Sequence, residues 1–220
     1  NEYMQGIPLN ERKRLGALLD DRPQTEVMAM IPQFSQAETD NFVAPPAQIP
    51  EALGVLMFNM ERGVNLPEIQ EFLRDCPDIQ PFDVILANEL DDGCARSGNK
   101  NTARELAQAF GLNYAWGLEF IELVNDENAK GFHGNAVFSR WPIRRAGVIR
   151  LPEQYNWYFD RQKRIGGRLA VFAELDVGGQ PVGAVSIHLE NRTHGEGRKA
   201  QMAAILEAVR KELPDMPLIL

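Results

Sequence analysis

The chain has 220 residues, 44% hydrophobic and 25% charged, with a net charge of −8. That is enough apolar sequence for one sizeable core, and one globular domain with or without an appendage is expected. A mean hydropathy of −0.31 and the lack of any apolar run near the roughly 20 residues of a membrane-crossing helix leave no transmembrane candidate. Asn1-Glu-Tyr-Met shows no basic stretch leading into an apolar one, so no signal peptide is read and a soluble protein of open compartment is expected. The chain lacks a starting Met, so a processed or recloned chain is expected. Two cysteines, Cys76 and Cys94, make no disulfide scaffold, and neither belongs to a C-x-x-C pair of a thiolate zinc site.

Residues 1–50 hold six of the 14 prolines and no clear strand. A short helix from Asn10 is expected there, with Asn10 as N-cap and Leu15, Leu18 and Leu19 on its apolar side. Ala44-Pro-Pro-Ala-Gln-Ile-Pro50 then breaks regular structure. Residues 1–50 are read as a partly helical extension, and 51–220 as the main domain.

From residue 53 the pattern is α/β. An apolar run ends at Asn59, a helix over about 66–75 is opened by Asn65 and Pro67, and a second run over 83–88 leads to Glu89. A polar loop, 91–100, precedes a helix that starts near Thr102 and stops at Gly111. Residues 112–123 then show period-two character. Strands are expected over 134–139 and 146–151. Two more, 168–177 and 181–189, flank the hairpin signal Gly178-Gly179. A helix over about 197–213 carries Met202, Ile205, Leu206 and Val209 on one face. Pro217-Leu-Ile-Leu220 reads as the start of a buried strand.

Two parallel strands joined by a crossover helix would deliver Asn59 and Glu89 to one sheet edge, where open α/β sheets place their ligands. An amide oxygen beside a carboxylate suits a hard divalent cation such as Mg²⁺. The bland alternative is a turn amide and a solvated strand-end acid. Charge is also uneven: residues 140–168 carry eight basic residues against two acids. With Tyr155-Asn-Trp-Tyr-Phe159 and Arg161-Gln-Lys-Arg164 interleaved, that segment suits nucleic acid or a phospholipid surface. An ordinary hairpin insertion with exposed charges is the other reading.

Five features in order then resemble one family: Asn59 and Glu89 at strand ends, Gly134-Asn-Ala-Val-Phe-Ser-Arg-Trp-Pro-Ile143, Ser186-Ile-His-Leu189 and Arg198-Lys-Ala-Gln201. Over residues 53–220 the chain is similar to the endonuclease/exonuclease/phosphatase (DNase I-like) superfamily. That superfamily includes nucleases, abasic-site endonucleases, inositol polyphosphate phosphatases and neutral sphingomyelinases. The resemblance implies a four-layer α/β sandwich, with two mixed β-sheets face to face and helices outside. It implies a divalent-metal-dependent phosphoester hydrolase, most like a phosphodiesterase or endonuclease, using Mg²⁺ or Mn²⁺. Glu89 and Asn59 would hold the metal, and His188 would stand at the scissile phosphate. Asn135 would bond a phosphate oxygen, unless it is only a turn amide. Glu119, or Glu122 nearby on the same strand, would support His188, unless it is a solvent-facing acid. Arg96 and Arg168 are the candidate substrate contacts, with a generic surface arginine the alternative for Arg96. The family continues past the equivalent of Leu220 with Asp-x-Asn and Asp-His motifs, so a longer natural chain is expected. A lipid or inositol-phosphate phosphoesterase, and a non-catalytic binding module, remain the alternatives. A rival His188/Glu190/His194 zinc site lacks the helical H-E-x-x-H spacing. Oligomeric state and physiological substrate are open.

Overall fold

Strand alternation sends successive side chains to opposite faces of a sheet, and here it builds two sheets with apolar residues on both faces. The structure, a computed structural model, describes residues 3–220. In chain order the elements are α1 (Leu9–Ala17), α2 (Gln24–Ala29), β1 (Ala37–Asp40), β2 (Val55–Arg62), α3 (Leu66–Asp75), β3 (Val84–Asp92), α4 (Thr102–Phe110), β4 (Asn113–Glu122), β5 (Phe132–Ser139), β6 (Ile143–Arg150), β7 (Arg164–Gly166), β8 (Leu169–Val177), β9 (Gln180–Ile187), α5 (Gly195–Glu212) and β10 (Leu218–Ile219).

The first sheet runs β1-β4-β5-β3-β2, with β7 also paired to β4. Its β2–β3 pair is parallel and the other pairings are antiparallel. The second sheet runs β10-β9-β8-β6, parallel only at β9–β10. Val84 and Leu86 of β3 meet Trp141, Val171 and Ala173 between the sheets. The alternate residues Ile85 and Ala87 join Leu73 and Leu106 of the helices outside. On the far side, Ile205 and Val209 of α5 cover Ala170, Phe172 and Val185. This is the four-layer α/β sandwich that the family resemblance implies.

Local signals explain most element ends. Asn101 caps α4, its side chain accepting from Arg104 N, and Gly111 closes that helix in the left-handed region. Gly178 and Gly179, at φ 60° and 91°, make the β8–β9 turn. Gly134 is required by space: a Cβ there would lie 2.0 Å from the Gly117 carbonyl oxygen of neighbouring β4.

Three expectations are corrected. α1 begins at Leu9 with Pro8 as N-cap, so Asn10 lies inside the first turn and caps nothing. Residues 37–40 do form a strand, because β4 offers an open edge to pair with. There Glu38 is buried and accepts from Tyr114 Oη (2.6 Å), Met4 N (2.6 Å) and Asn101 Nδ2 (3.0 Å). β10 is an edge strand whose Leu218 stays half exposed rather than buried. Val55 and Met57 of β2 share the inward face of Val84 and Leu86 by register, yet they are exposed.

Candidate active site

A bulge in β3 creates the site. The β2–β3 register shifts between Asn59 and Arg62, and the β3–β5 register between Ala87 and Leu90. Within this irregularity Glu89 adopts φ 59°, which is uncommon for a residue with a side chain. Bulges of this kind re-aim a side chain, and such strain persists only where the surroundings enforce it. Two contacts enforce it here. Glu89 N donates to Asn135 Oδ1 (3.1 Å). Asn88 Nδ2 donates to the Ile187 carbonyl (3.0 Å), and Ser186 Oγ donates to Asn88 Oδ1 (3.1 Å). Asn88 thereby ties β3 to the end of β9, where the next residue is His188. Glu89 Oε1 and His188 Nε2 end 3.7 Å apart.

His188 is positioned from behind. Its Nδ1 is 3.2 Å from Glu119 Oε2 and 3.0 Å from Arg168 NH1. With Nδ1–H donated to the carboxylate, Nε2 is left as the acceptor on the Glu89 side; the tautomer is inferred from these partners. Glu119 is fully buried. Burial alone would raise its pKa, but the charges of His188 and Arg168 outweigh that and hold the carboxyl well below the usual range. Arg168 is likewise opposed by burial and held protonated by Glu119 (3.0 Å) and Glu190 (3.3 Å). Glu190 also accepts from Trp157 Nε1 (2.8 Å).

A second buried layer supports the first. His133 Nδ1 lies 2.8 Å from Asp91 Oδ1, with its Nε2 3.8 Å from Glu119. Arg96 grips Asp91 through two bonds (2.7 and 2.9 Å) and reaches Glu122 at 3.0 Å. Burial would raise the Asp91 pKa, yet the bonds from Arg96 and His133 bring it down to about 2.

The structure thus brings together Glu89, His188, Glu119, Asn135 and Arg168. Arg96 is not among them: two carboxylates neutralise it, and it lines a separate recess with Cys94 and Asn128. Its expected role as a substrate contact is corrected on that ground. Arg168 does line the cleft, but its donors are spent on Glu119 and Glu190. Asn59 stands beside Asn88 in the parallel pair, and its Oδ1 accepts from Glu61 N (2.9 Å). His194 is the exposed N-cap residue of α5, and Glu190 is committed to Arg168 and Trp157.

Sequence reading passes over His133 and Asp91, and Glu122, its alternative to Glu119, pairs instead with Arg96 and Arg164. One signal was present: His133 is two residues from Asn135, and Asp91 is two from Glu89, the period of one strand face.

Asn135 is fully buried and its Nδ2 has no hydrogen-bond partner among the described residues. A buried donor left over beside Glu89 is what an oxyanion would satisfy. No group of three or more His, Cys, Asp or Glu able to hold a metal occurs among the described residues. The described residues therefore form no all-protein cage, and Glu89 is the carboxylate that lines the cleft beside His188. A cleft of about 490 Å³ opens in front, its wall including Arg62, Trp157, Arg161 and Arg192.

No protein-family model matches the chain, and no curated protein matches it in sequence. Solved structures do match. An endonuclease/exonuclease/phosphatase from Beutenbergia cavernae DSM 12333 is similar at 22% identity and a TM-score of 0.51, covering 70% of this chain and 43% of that one. The human Nocturnin catalytic domain, solved with a bound sulfate anion, is similar at 17% identity and a TM-score of 0.50, covering 85% and 66%. The chain thus spans less than half of the first structure and about two thirds of the second. These likenesses, with the two mixed sheets and their outer helices, show that this chain has the endonuclease/exonuclease/phosphatase, or DNase I-like, fold.

Proposed function

We propose that this protein is a divalent-metal-dependent phosphoester hydrolase, acting as a phosphodiesterase or endonuclease. The observation that carries the reading is the bulge that sets Glu89 3.7 Å from His188, itself held by buried Glu119 and Arg168. Fold likeness alone would not assign an activity.

Glu89 would hold Mg²⁺ or Mn²⁺, with Asn59 contributing from the adjacent strand. When bound, the ion supplies charge neutralisation at phosphorus and an acidified water. The chain's own residues do the rest. His188 Nε2 takes or gives a proton at the phosphate, or bonds its growing charge. Glu119 holds the imidazole in the tautomer with Nδ1 protonated and stabilises the imidazolium. Arg168 keeps Glu119 ionised despite burial and adds positive charge to the cleft. Asn135 Nδ2 donates to a phosphoryl oxygen, which would pair its unused hydrogen.

Glu89→Gln tests the metal assignment. Binding of Mn²⁺, followed by electron paramagnetic resonance, is expected to weaken by about a hundredfold or more, with Mg²⁺-dependent hydrolysis of bis-p-nitrophenyl phosphate falling in step and the melting temperature preserved. Wild-type Mn²⁺ affinity in the variant would remove Glu89 from the metal site.

A further inference from the structure

The outer wall of the cleft holds more positive charge than the chemistry at Glu89 and His188 uses. Five arginines line it, but they differ in what neutralises them. Arg164 is buried against Glu122 (2.9 Å), and Arg168 against Glu119 and Glu190. Arg62 and Arg161 have no ion pair among the described residues. The one ion pair of Arg192 among the described residues is with Asp160, at 3.7 Å, with 56% of its side chain exposed, and its guanidinium also lies 5.8 Å from the Tyr155 and Trp157 ring centroids. Asp160 is already engaged, accepting from Tyr155 Oη (2.8 Å) and Gln162 N (3.2 Å).

Three guanidinium groups thus share one concave space with the committed Asp160 and with Glu89, which stands at the reaction centre beside His188. Their mutual repulsion is a cost that an anion would remove. Arg62 is placed there by a left-handed run, with φ 46° at Glu61 and 68° at Arg62. Neither is glycine, and strain of this kind collects at ligand-binding segments. Trp157 beside them is also fixed: it is buried, its indole N–H is held by Glu190, and Arg192 lies over its ring at 5.8 Å. A guanidinium fork matches two phosphate oxygens at once.

We propose that Arg62, Arg161 and Arg192 form a subsite for a second phosphate group, beside the phosphate that reacts at Glu89 and His188. The substrate class is then a phosphoester carrying at least two phosphates, and simple monophosphate esters are poor ligands. This rests on the phosphoester hydrolase reading given above. The second phosphate is supplied either by a soluble polyphosphorylated molecule or by the next nucleotide of a single strand. A cleft of about 490 Å³ is the size of a small-molecule site.

Calorimetric titration of the intact chain in metal-free buffer tests the subsite without requiring turnover. The probes are inorganic orthophosphate, inorganic pyrophosphate, and the dinucleotides TpT and pTpT. Pyrophosphate is expected to bind about tenfold or more tightly than orthophosphate, the effect of one added charge-assisted hydrogen bond. The double variant Arg62→Gln/Arg161→Gln is expected to bring that ratio towards one, and Arg161→Lys to retain part of it. A matching preference for pTpT over TpT would assign the second phosphate to a strand; a preference confined to pyrophosphate would assign it to a soluble ligand. Equal affinity for orthophosphate and pyrophosphate, or a ratio that survives the double variant, would overturn the subsite. Hydrolysis of bis-p-nitrophenyl phosphate by the same preparation separates the two ideas. Turnover without pyrophosphate preference refutes the subsite alone. Pyrophosphate preference without Mg²⁺-dependent turnover of bis-p-nitrophenyl phosphate or of pTpT refutes the hydrolase reading and leaves an anion-binding site.

Discussion

Asp91 shows how the site's charges are arranged at the scale of single residues. It touches no part of the cleft, yet it takes two bonds from Arg96 and one from His133, whose far nitrogen faces Glu119. Leaving one partner of a buried ion pair unpaired costs about 3–5 kcal/mol, so Asp91→Asn is expected to lose stability of that order at neutral pH. The pH dependence follows from the sign of the shift. The carboxyl is lowered from 3.8 to about 2 in the folded state. Its contribution is therefore complete above the unfolded value and is lost as pH falls through that window. Urea unfolding from pH 5 to pH 2 should show wild-type stability dropping steeply below pH 4, and a flatter curve for Asp91→Asn. Parallel curves would show that Asp91 is not the linked group. The same logic separates Arg96 from Arg62. Both are arginines next to strand ends, but only one retains a charge for a ligand.

At the scale of elements, the decisive feature is the irregular pairing around β3. Without the shift between Ala87 and Leu90, Glu89 would continue the regular pleat. The sequence carried every strand but β1 and β7, the β8–β9 turn and the boundaries of α3 and α4, because apolar alternation and caps are local signals. It did not carry the bulge, which depends on Asn135 and Asn88 reaching β3 from other strands. It also missed β1: Ala37-Glu-Thr-Asp40 has no apolar pattern, and the edge of β4 supplies its reason to be a strand. The Gly134-Asn-Ala segment was legible for a related cause. Gly134 has to be small because β4 passes close, the Trp116 ring lying within 2.7 Å of where a Cβ would sit. Gly134→Ala is expected to destabilise by about 3 kcal/mol, the upper end for overpacking, since the Gly117 backbone cannot yield. Gly195→Ala, where nothing lies within 4 Å, should change stability by less than about 1 kcal/mol. Thermal denaturation of both variants checks the contrast; equal effects would contradict the close approach of β4 and β5.

Over the whole molecule, the two sheets meet so that the end of β9 faces the bulge of β3, and the segment between β6 and β7 forms the far wall of the cleft. The family resemblance, together with their places at strand ends or on strand faces, pointed to Glu89, Asn135, Glu119, Arg168 and His188. Their convergence is a property of sheet packing that no single segment contains. The cationic wall was legible only as a basic segment. Burial then divided it, leaving Arg161 free and tying down Arg164, while Arg62 and Arg192 came from outside it. The central claim is that this convergence hydrolyses phosphoesters with a divalent metal. The most direct measurement is Mg²⁺-supported hydrolysis of bis-p-nitrophenyl phosphate by the wild-type chain, by wild type with EDTA, and by His188→Ala. Turnover in the first, abolished in the second and reduced about a hundredfold or more in the third, is the predicted result; EDTA-resistant turnover, or full activity in His188→Ala, would contradict it.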